Sequence, residues 1–202
     1  MEFWKGVNGC CADTMANRLE ITPTTQRKFD HLQKILTEMR AVMVAYSGGV
    51  DSTLLLKAVA DVLGNRVIAV TAISETSPPH ERQDAADYAR SMGFRHLEIV
   101  SQEMTIPSFT ANPPDKCFTC QKGRCVEIVR LAAEKEMTWV ADGENCDDAD
   151  GYRPGRAARE LGVRSPLRRA GLIKQEVRPL SRELGFPSWN KPACACPISR
   201  IP

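Results

Sequence analysis

The sequence predicts an α/β fold built on a parallel sheet, and three features carry that prediction. Four short apolar runs alternate with stretches of helical length and periodicity. The first two runs are almost continuously apolar rather than alternating, the mark of strands buried on both faces. The stretches between runs are long enough to serve as the crossover helices of βαβ units, which join parallel strands with right-handed connections.

The elements follow in order. From Thr24 to Met39, the residues Phe29, Leu32, Ile35, Leu36 and Met39 recur at three- and four-residue steps, which predicts an amphipathic helix. Residues 41–46 (Ala-Val-Met-Val-Ala-Tyr) read as the first buried strand. Ser52 to Leu63 reads as a helix ended by Gly64. Arg66 to Ala72 is the second strand, His80 to Met92 a helix closed by Gly93, and Arg95 to Val100 the third strand. A proline-rich loop over 101–116 is long enough to be a lid or binding segment. Cys120 to Glu136 is helical and Thr138 to Asp142 is the fourth strand. Beyond Asp150 the pattern breaks into short pieces, with helices expected over 154–162 and 174–185. This divides the chain into a loose extension (1–22), the sheet domain (23–150) and the start of a C-terminal region (151–202) expected to be incomplete.

Composition bounds the function. The chain has 202 residues, 43% hydrophobic and 26% charged, which suits one α/β domain. A net charge of +2, from 27 basic and 25 acidic residues, leaves no footprint for nonspecific nucleic-acid binding. Arginines at 153, 156, 159, 164, 168 and 169 crowd one stretch, either as a solvated face or as a site for a phosphorylated substrate. No apolar run approaches the roughly 18 residues of a membrane span, and no basic segment followed by an apolar core opens the chain. The expectation is a cytoplasmic enzyme whose eight cysteines serve metal binding or catalysis rather than disulfides.

The junction of first strand and following helix carries the chemistry. Ser47-Gly48-Gly49-Val50-Asp51-Ser52 places two glycines where backbone must approach an anion closely. The N–H groups of the loop and of the helix's first turn converge on that anion, helped by the helix dipole. Ser47 and Ser52 can donate hydroxyls, and Asp51 can cap the helix or hold a magnesium ion through water. A Walker loop would need a lysine before the serine, and a dinucleotide fingerprint would spread three glycines over six positions. Neither is present; the plain alternative is a glycine turn capped by serine.

The hexapeptide resembles the PP-loop of enzymes that split ATP into AMP and pyrophosphate to adenylylate a substrate. The resemblance implies a Rossmann-like fold of the adenine nucleotide alpha hydrolase type. It also implies an ATP site made by Ala45, Ser47, Gly48, Gly49, Val50, Asp51 and Ser52. Thr71 and Ala72 would lie against the adenine, and Asp142 and Gly143 would approach the ribose and α-phosphate. Four further stretches, in this order, narrow it: Ala-Val-Thr-Ala (69–72) with Pro-Pro-His-Glu (78–81); Asn-Pro-Pro-Asp-Lys-Cys-Phe-Thr-Cys (112–120); Asp-Gly-Glu-Asn-Cys-Asp-Asp (142–148) with Tyr-Arg-Pro-Gly (152–155); and Trp-Asn-Lys-Pro-Ala-Cys-Ala-Cys (189–196) with Ser-Arg-Ile-Pro (199–202). From about Lys28 onward the chain is similar to the LarE family, the ATP-dependent sacrificial sulfur transferases.

That resemblance implies a reaction. ATP and Mg2+ activate a carboxylate of a nicotinic-acid-derived mononucleotide, and a cysteine thiolate displaces AMP. The sulfur stays on the product as a thiocarboxylate, a step toward a nickel-pincer nucleotide. Cys196 matches the family's sulfur-donating cysteine. Lys191 and Arg200 flank it and can lower its pKa or neutralise the adenylate phosphate. Cys194 suits the branch of the family in which cysteines hold a 4Fe–4S cluster that carries the donated sulfur, with Cys194 and Cys196 as ligands. Asp148 and Arg153 are the substrate-binding candidates. The resemblance also implies a homo-oligomer, a small-molecule nucleotide as partner, and no membrane or nucleic acid. One departure is Pro197, where leucine is expected; it biases Cys196 toward extended backbone.

Other readings stay open at this level. Cys117 and Cys120 could join a zinc or cluster site with Cys194 and Cys196, form a redox pair, or be structural thiols, and the Cys120 thiolate could gain from the following helix's N-terminus. Cys125 and Cys146 read as buried small residues, and His31, His80 and His96 form no ligand pair. A tRNA-thiolating PP-loop enzyme would need a broad basic face, and an NAD-synthetase-like amidotransferring enzyme would have no use for the Cys194–Cys196 pair. A nucleotide-binding remnant without catalysis is the fourth reading.

Overall fold

The computed structural model describes residues 20–74, 78–110, 113, 116–150 and 155–192. Helix α1 (Pro23–Thr37) begins where Thr22 accepts a hydrogen bond from Thr25 N–H (3.1 Å) and Pro23 occupies the first helical position. Then come β1 (Val42–Ala45), α2 (Val50–Leu63), β2 (Val67–Ile73), α3 (Pro79–Ser91) and β3 (His96–Val100). A 3₁₀ turn at Glu103–Thr105 and a single α turn, α4 (Pro107–Thr110), precede the long α5 (Lys116–Glu134). Strand β4 (Trp139–Ala141) is followed by a 3₁₀ turn (Cys146–Asp150) and three helices, α6 (Arg156–Glu160), α7 (Pro166–Arg169) and α8 (Lys174–Glu183).

The four strands form one parallel sheet in the order β3-β2-β1-β4. Both faces are covered, so the strands β1 and β2 alternate between two cores. Val42, Val44, Val67 and Ala69 pack with α1, α2, α3, α7 and α8 on one side. Met43, Ile68 and Val70 pack with Cys125, Ile128 and Ala132 of α5 on the other. This is why β1 and β2 read as unbroken apolar runs. The outer strand β3 is half-covered, with Val100 69% exposed, as expected for an edge. Leu167, Leu172, Val177, Leu180 and Phe186 enter the first core, so the described part of the chain beyond residue 150 packs directly onto the sheet domain.

Three expectations are corrected. Helix α2 starts at Val50, because Gly49 is its extended N-terminal cap; Asp51 and Ser52 lie inside the first turn, and Asp51 is not the cap. The stretch 101–116 is not all loop, since a 3₁₀ turn at Glu103–Thr105 and a proline-led α turn at Pro107–Thr110 form within it. Helix α5 begins at Lys116, so Cys117 stands in its first turn and Cys120 lies beyond it, past the range of the helix-end field.

Candidate active site

Going outward from β1, the chain steps to β2 and β3, then returns to place β4 on β1's other side. The carboxyl ends of β1 and β4 therefore bound a switch point, the crevice where open α/β sheets bind ligands. The loop after β1 turns through Gly48 at φ 72°, a left-handed conformation that disfavours side chains. A side chain there would also strike Ala85 Cβ at 2.9 Å, so α3 sits on the loop's back. Thr53 N–H is the first in α2 to reach back, to Gly49 O (3.0 Å); the N–H groups of Val50, Asp51 and Ser52 lie ahead of that ladder. Ser52, 5% exposed, ties the loop together: its Oγ donates to Gly49 O (3.1 Å), accepts from Ser47 N–H (3.3 Å) and lies 3.2 Å from Ser47 Oγ.

The loop after β4 completes the crevice. A Cβ on Gly143 would lie 2.8 Å from Ser52 N, so the two strand-end loops meet backbone to backbone. The buried Asn145 donates from Nδ2 to Asp51 Oδ1 (3.2 Å), and its Oδ1 accepts Asp147 N–H (2.9 Å). Its own N–H goes to Asp148 Oδ2 (3.0 Å). Asp51 also pairs with Lys174 Nζ, and Lys174 N–H donates to Asp147 (2.8 Å). Burial pushes the Asp148 carboxyl up, and the neighbouring Asp51 and Glu144 charges add to it, against Asn145 N–H and Lys174.

Behind these groups Glu144, its side chain 6% exposed, accepts from Arg159 (3.0 Å), Ser165 Oγ (2.9 Å) and Arg168 (3.4 Å). Arg164 lies 3.4 Å over the Trp139 ring, and Arg156 pairs with Glu160. Four arginines of the crowded stretch are therefore engaged within the protein.

Burial, the largest influence, pushes the Asp142 carboxyl up to about 6, against hydrogen bonds from Ser165 and Glu144 N–H. The folded state thus binds its proton more tightly than the unfolded chain, so the carboxyl costs stability as pH rises from about 4 to about 6 and at every higher pH. Asp142→Asn is expected to raise stability at pH 7.5 by about 2 kcal/mol while matching wild type near pH 4. Thermal melts across that range check it; a variant less stable at pH 7.5 contradicts it.

At the β2 edge, Thr71 donates its hydroxyl to Tyr46 O (2.8 Å) and so accepts from His96 Nε2, also at 2.8 Å. Burial pushes the His96 pKa down, in keeping with a neutral ring that donates there. Thr71 is committed to the sheet, and the half-buried Ala72 follows it toward the crevice. Lys191 Nζ reaches Asp84 (3.2 Å), one residue before the Ala85 that backs Gly48. Cys120 Sγ lies 3.8 Å from Glu103 Oε1, which also binds Arg124 (2.8 Å). Burial pushes the Glu103 carboxyl up, but Ser101, Arg124 and Ser74 outweigh it and hold it at about 2. Cys125 is buried, with its thiol pushed up to about 11, chiefly by burial. Arg153, Cys194, Cys196 and Arg200 lie outside the described residues. Sequence reasoning gave no role to Glu144 or Asn145, although both lie within the quoted 142–148 stretch, and did not single out Lys174, which no local pattern marks.

No family model matches the chain. It is 42% identical over 178 residues to an uncharacterised protein of Synechocystis sp., covering 88% of this chain and 66% of the relative. It is 37% identical over 169 residues to the pyridinium-3,5-bisthiocarboxylic acid mononucleotide synthase of Lactiplantibacillus plantarum, covering 83% of this chain and 61% of that enzyme. The chain thus spans just under two thirds of the length of these relatives. Among solved structures, NMN synthetase from Francisella tularensis superposes with a TM-score of 0.69 at 18% identity, over 86% of this chain and 76% of the other. At that identity the match speaks for the fold alone, a Rossmann-like parallel sheet.

Proposed function

We propose a function from the premise that this chain belongs to the LarE family of PP-loop enzymes: it is an ATP-dependent sulfur transferase acting on a pyridinium mononucleotide. In this reading ATP adenylylates a substrate carboxylate and releases pyrophosphate. A thiolate then attacks the acyl carbon and expels AMP. Cleavage of the cysteine Cβ–S bond, with loss of the α-proton, leaves a thiocarboxylate on the product and dehydroalanine in the protein. An acyl adenylate supplies the leaving group, and a thiolate is a nucleophile that needs no partner base.

The observation that carries the reading is the convergence on one α3 turn. Gly48 of the phosphate loop packs on Ala85, and Lys191 pairs with the adjacent Asp84. Lys191, three residues before Cys194 in the sequence, is thereby tied beside the loop that would hold the nucleotide. The first-turn N–H groups of α2 suit phosphate, and Gly143 permits close approach from the facing strand end. The donor set also fits a magnesium ion arriving with ATP. Asp51 and Asp148 are hard oxygen ligands of like charge set near each other, and such an ion takes one or two carboxylates plus phosphate oxygens. Magnesium would supply charge neutralisation for the phosphates. Among the described residues no group of three His, Cys, Asp or Glu side chains could hold a metal, and the cysteines named for a 4Fe–4S cluster lie outside them.

Intact-protein mass spectrometry after turnover with ATP, magnesium and carboxylated nicotinic acid mononucleotide tests this. A thiocarboxylate product with loss of one hydrogen sulfide at Cys196 is the expected result. Product formed with an unchanged polypeptide mass would move the donor to a cluster-bound sulfur. Pyrophosphate release without thiocarboxylate, or an amide product when ammonia is supplied, would overturn sulfur transfer.

A further inference from the structure

The loop Ser47–Ser52 contains no lysine or arginine, and its one charged side chain, Asp51, is an acid. A triphosphate brings several negative charges to that place, which backbone N–H groups and one divalent ion would meet alone. The fold delivers a cation from elsewhere. Lys174, 123 residues downstream, lays its ammonium on Asp51. We propose that Lys174 is the phosphate-binding lysine of this site, engaging the β- and γ-phosphates of the nucleotide, an inference that rests on the ATP-dependent reading above.

The mounting of Lys174 supports that role. It is the first residue of the ten-residue α8, so the positive end of that helix lies at Asp147, in the loop that bounds the crevice. Its backbone is fixed from two sides. Its N–H donates to Asp147 (2.8 Å), and Glu176 caps the helix start through Ile173 N–H (3.1 Å) while itself held by Lys28 (2.7 Å). Val177 and Leu180 anchor the following turns in the core. The side chain by contrast is 32% exposed and Asp51 19%, so the ammonium can swing on its flexible stem without disturbing the helix. With no nucleotide bound, Lys174 neutralises Asp51. Asp51 would be among the residues to hold a magnesium ion, and an ammonium displaced from that carboxylate would be free to meet incoming phosphate oxygens. Lysine is suited to this as a point charge.

The test compares ligands that differ only in their phosphates. Calorimetric titration of the full chain with Mg–ATP and with AMP is run on wild type, Lys174→Met and Lys174→Arg. Lys174→Met is expected to weaken ATP roughly 10- to 100-fold, the loss of charge-assisted hydrogen bonds, and to leave AMP within about twofold. Lys174→Arg is expected to recover most of the ATP affinity. Equal weakening of ATP and AMP would reduce Lys174 to a structural partner of Asp51 and overturn the proposal, as would unchanged ATP binding. A measurement on the native protein covers the case in which the methionine variant does not fold. ATP, but not AMP, should protect Lys174 from amine acylation, read by peptide mass spectrometry; protection by both or by neither overturns the proposal. Wild type that binds no ATP would sink this and the sulfur-transferase reading together. ATP binding that depends on Lys174 without any thiocarboxylate product would leave Lys174 standing and overturn only the latter.

Discussion

Gly143→Ala is expected to lower ATP affinity roughly 10- to 100-fold, through displacement of charge-assisted N–H donors, although the added group is one methyl. The residue lies in the loop two positions after β4, at the switch point, and its backbone lies against the first turn of α2. A Cβ there would sit 2.8 Å from Ser52 N, 3.0 Å from Ser52 Cα and 3.2 Å from the Asp51 carbonyl carbon. These are backbone atoms within a helix whose following residues, Leu54, Leu55 and Leu56, are fully buried, so they cannot rotate aside as a side-chain tip would. The two strand ends must separate, which moves the Ser52 N–H and the Asn145–Asp51 contact out of register together. Overpacking of this kind costs about 1–3 kcal/mol of stability in addition. Titration with ATP and a thermal melt check both parts. An alanine variant with wild-type affinity and melting temperature would show that the loops are not in contact as described.

The second large effect is expected at Glu144. Its carboxylate is almost wholly enclosed and answers two guanidiniums, from α6 and α7, together with the Ser165 hydroxyl. Removing it takes from Arg159 and Arg168 the carboxylate that both engage. A fully buried pair broken in this way costs about 3–5 kcal/mol. Here the arginine side chains are 41% and 36% exposed, and water can partly serve them, so Glu144→Ala is expected to cost about 2–4 kcal/mol. For a chain of this length that is a melting-temperature loss of roughly 5–15 °C. Glu144→Gln, which keeps the acceptor oxygen, is expected to fall between alanine and wild type. A loss under about 2 °C for alanine would mean that solvent screens the pair and that α6 and α7 are held by their apolar contacts alone.

What the sequence by itself determined is what short-range pattern encodes. Val42 to Val44 and Val67 to Val70 are apolar on both faces because helices cover both sides of the sheet, and a continuous run records that. The glycine doublet between such a run and a helix marks a tight turn, and Gly48 takes a positive φ there. Weaker local signals placed element ends less well. Gly49 rather than Asp51 caps α2, because an extended glycine can serve as the cap and leave the aspartate free for other partners. The tertiary structure alone decided how the crevice is furnished. Asn145 and Lys174 meet Asp51 across 94 and 123 residues. Glu144 draws in two arginines of a run that could equally have faced solvent, and Ala85 backs Gly48. No periodicity links such residues. They meet because the strand order returns β4 to the side of β1, and because burial of Leu167, Leu172 and Val177 in the shared core brings the start of α8 down onto the loop after β1.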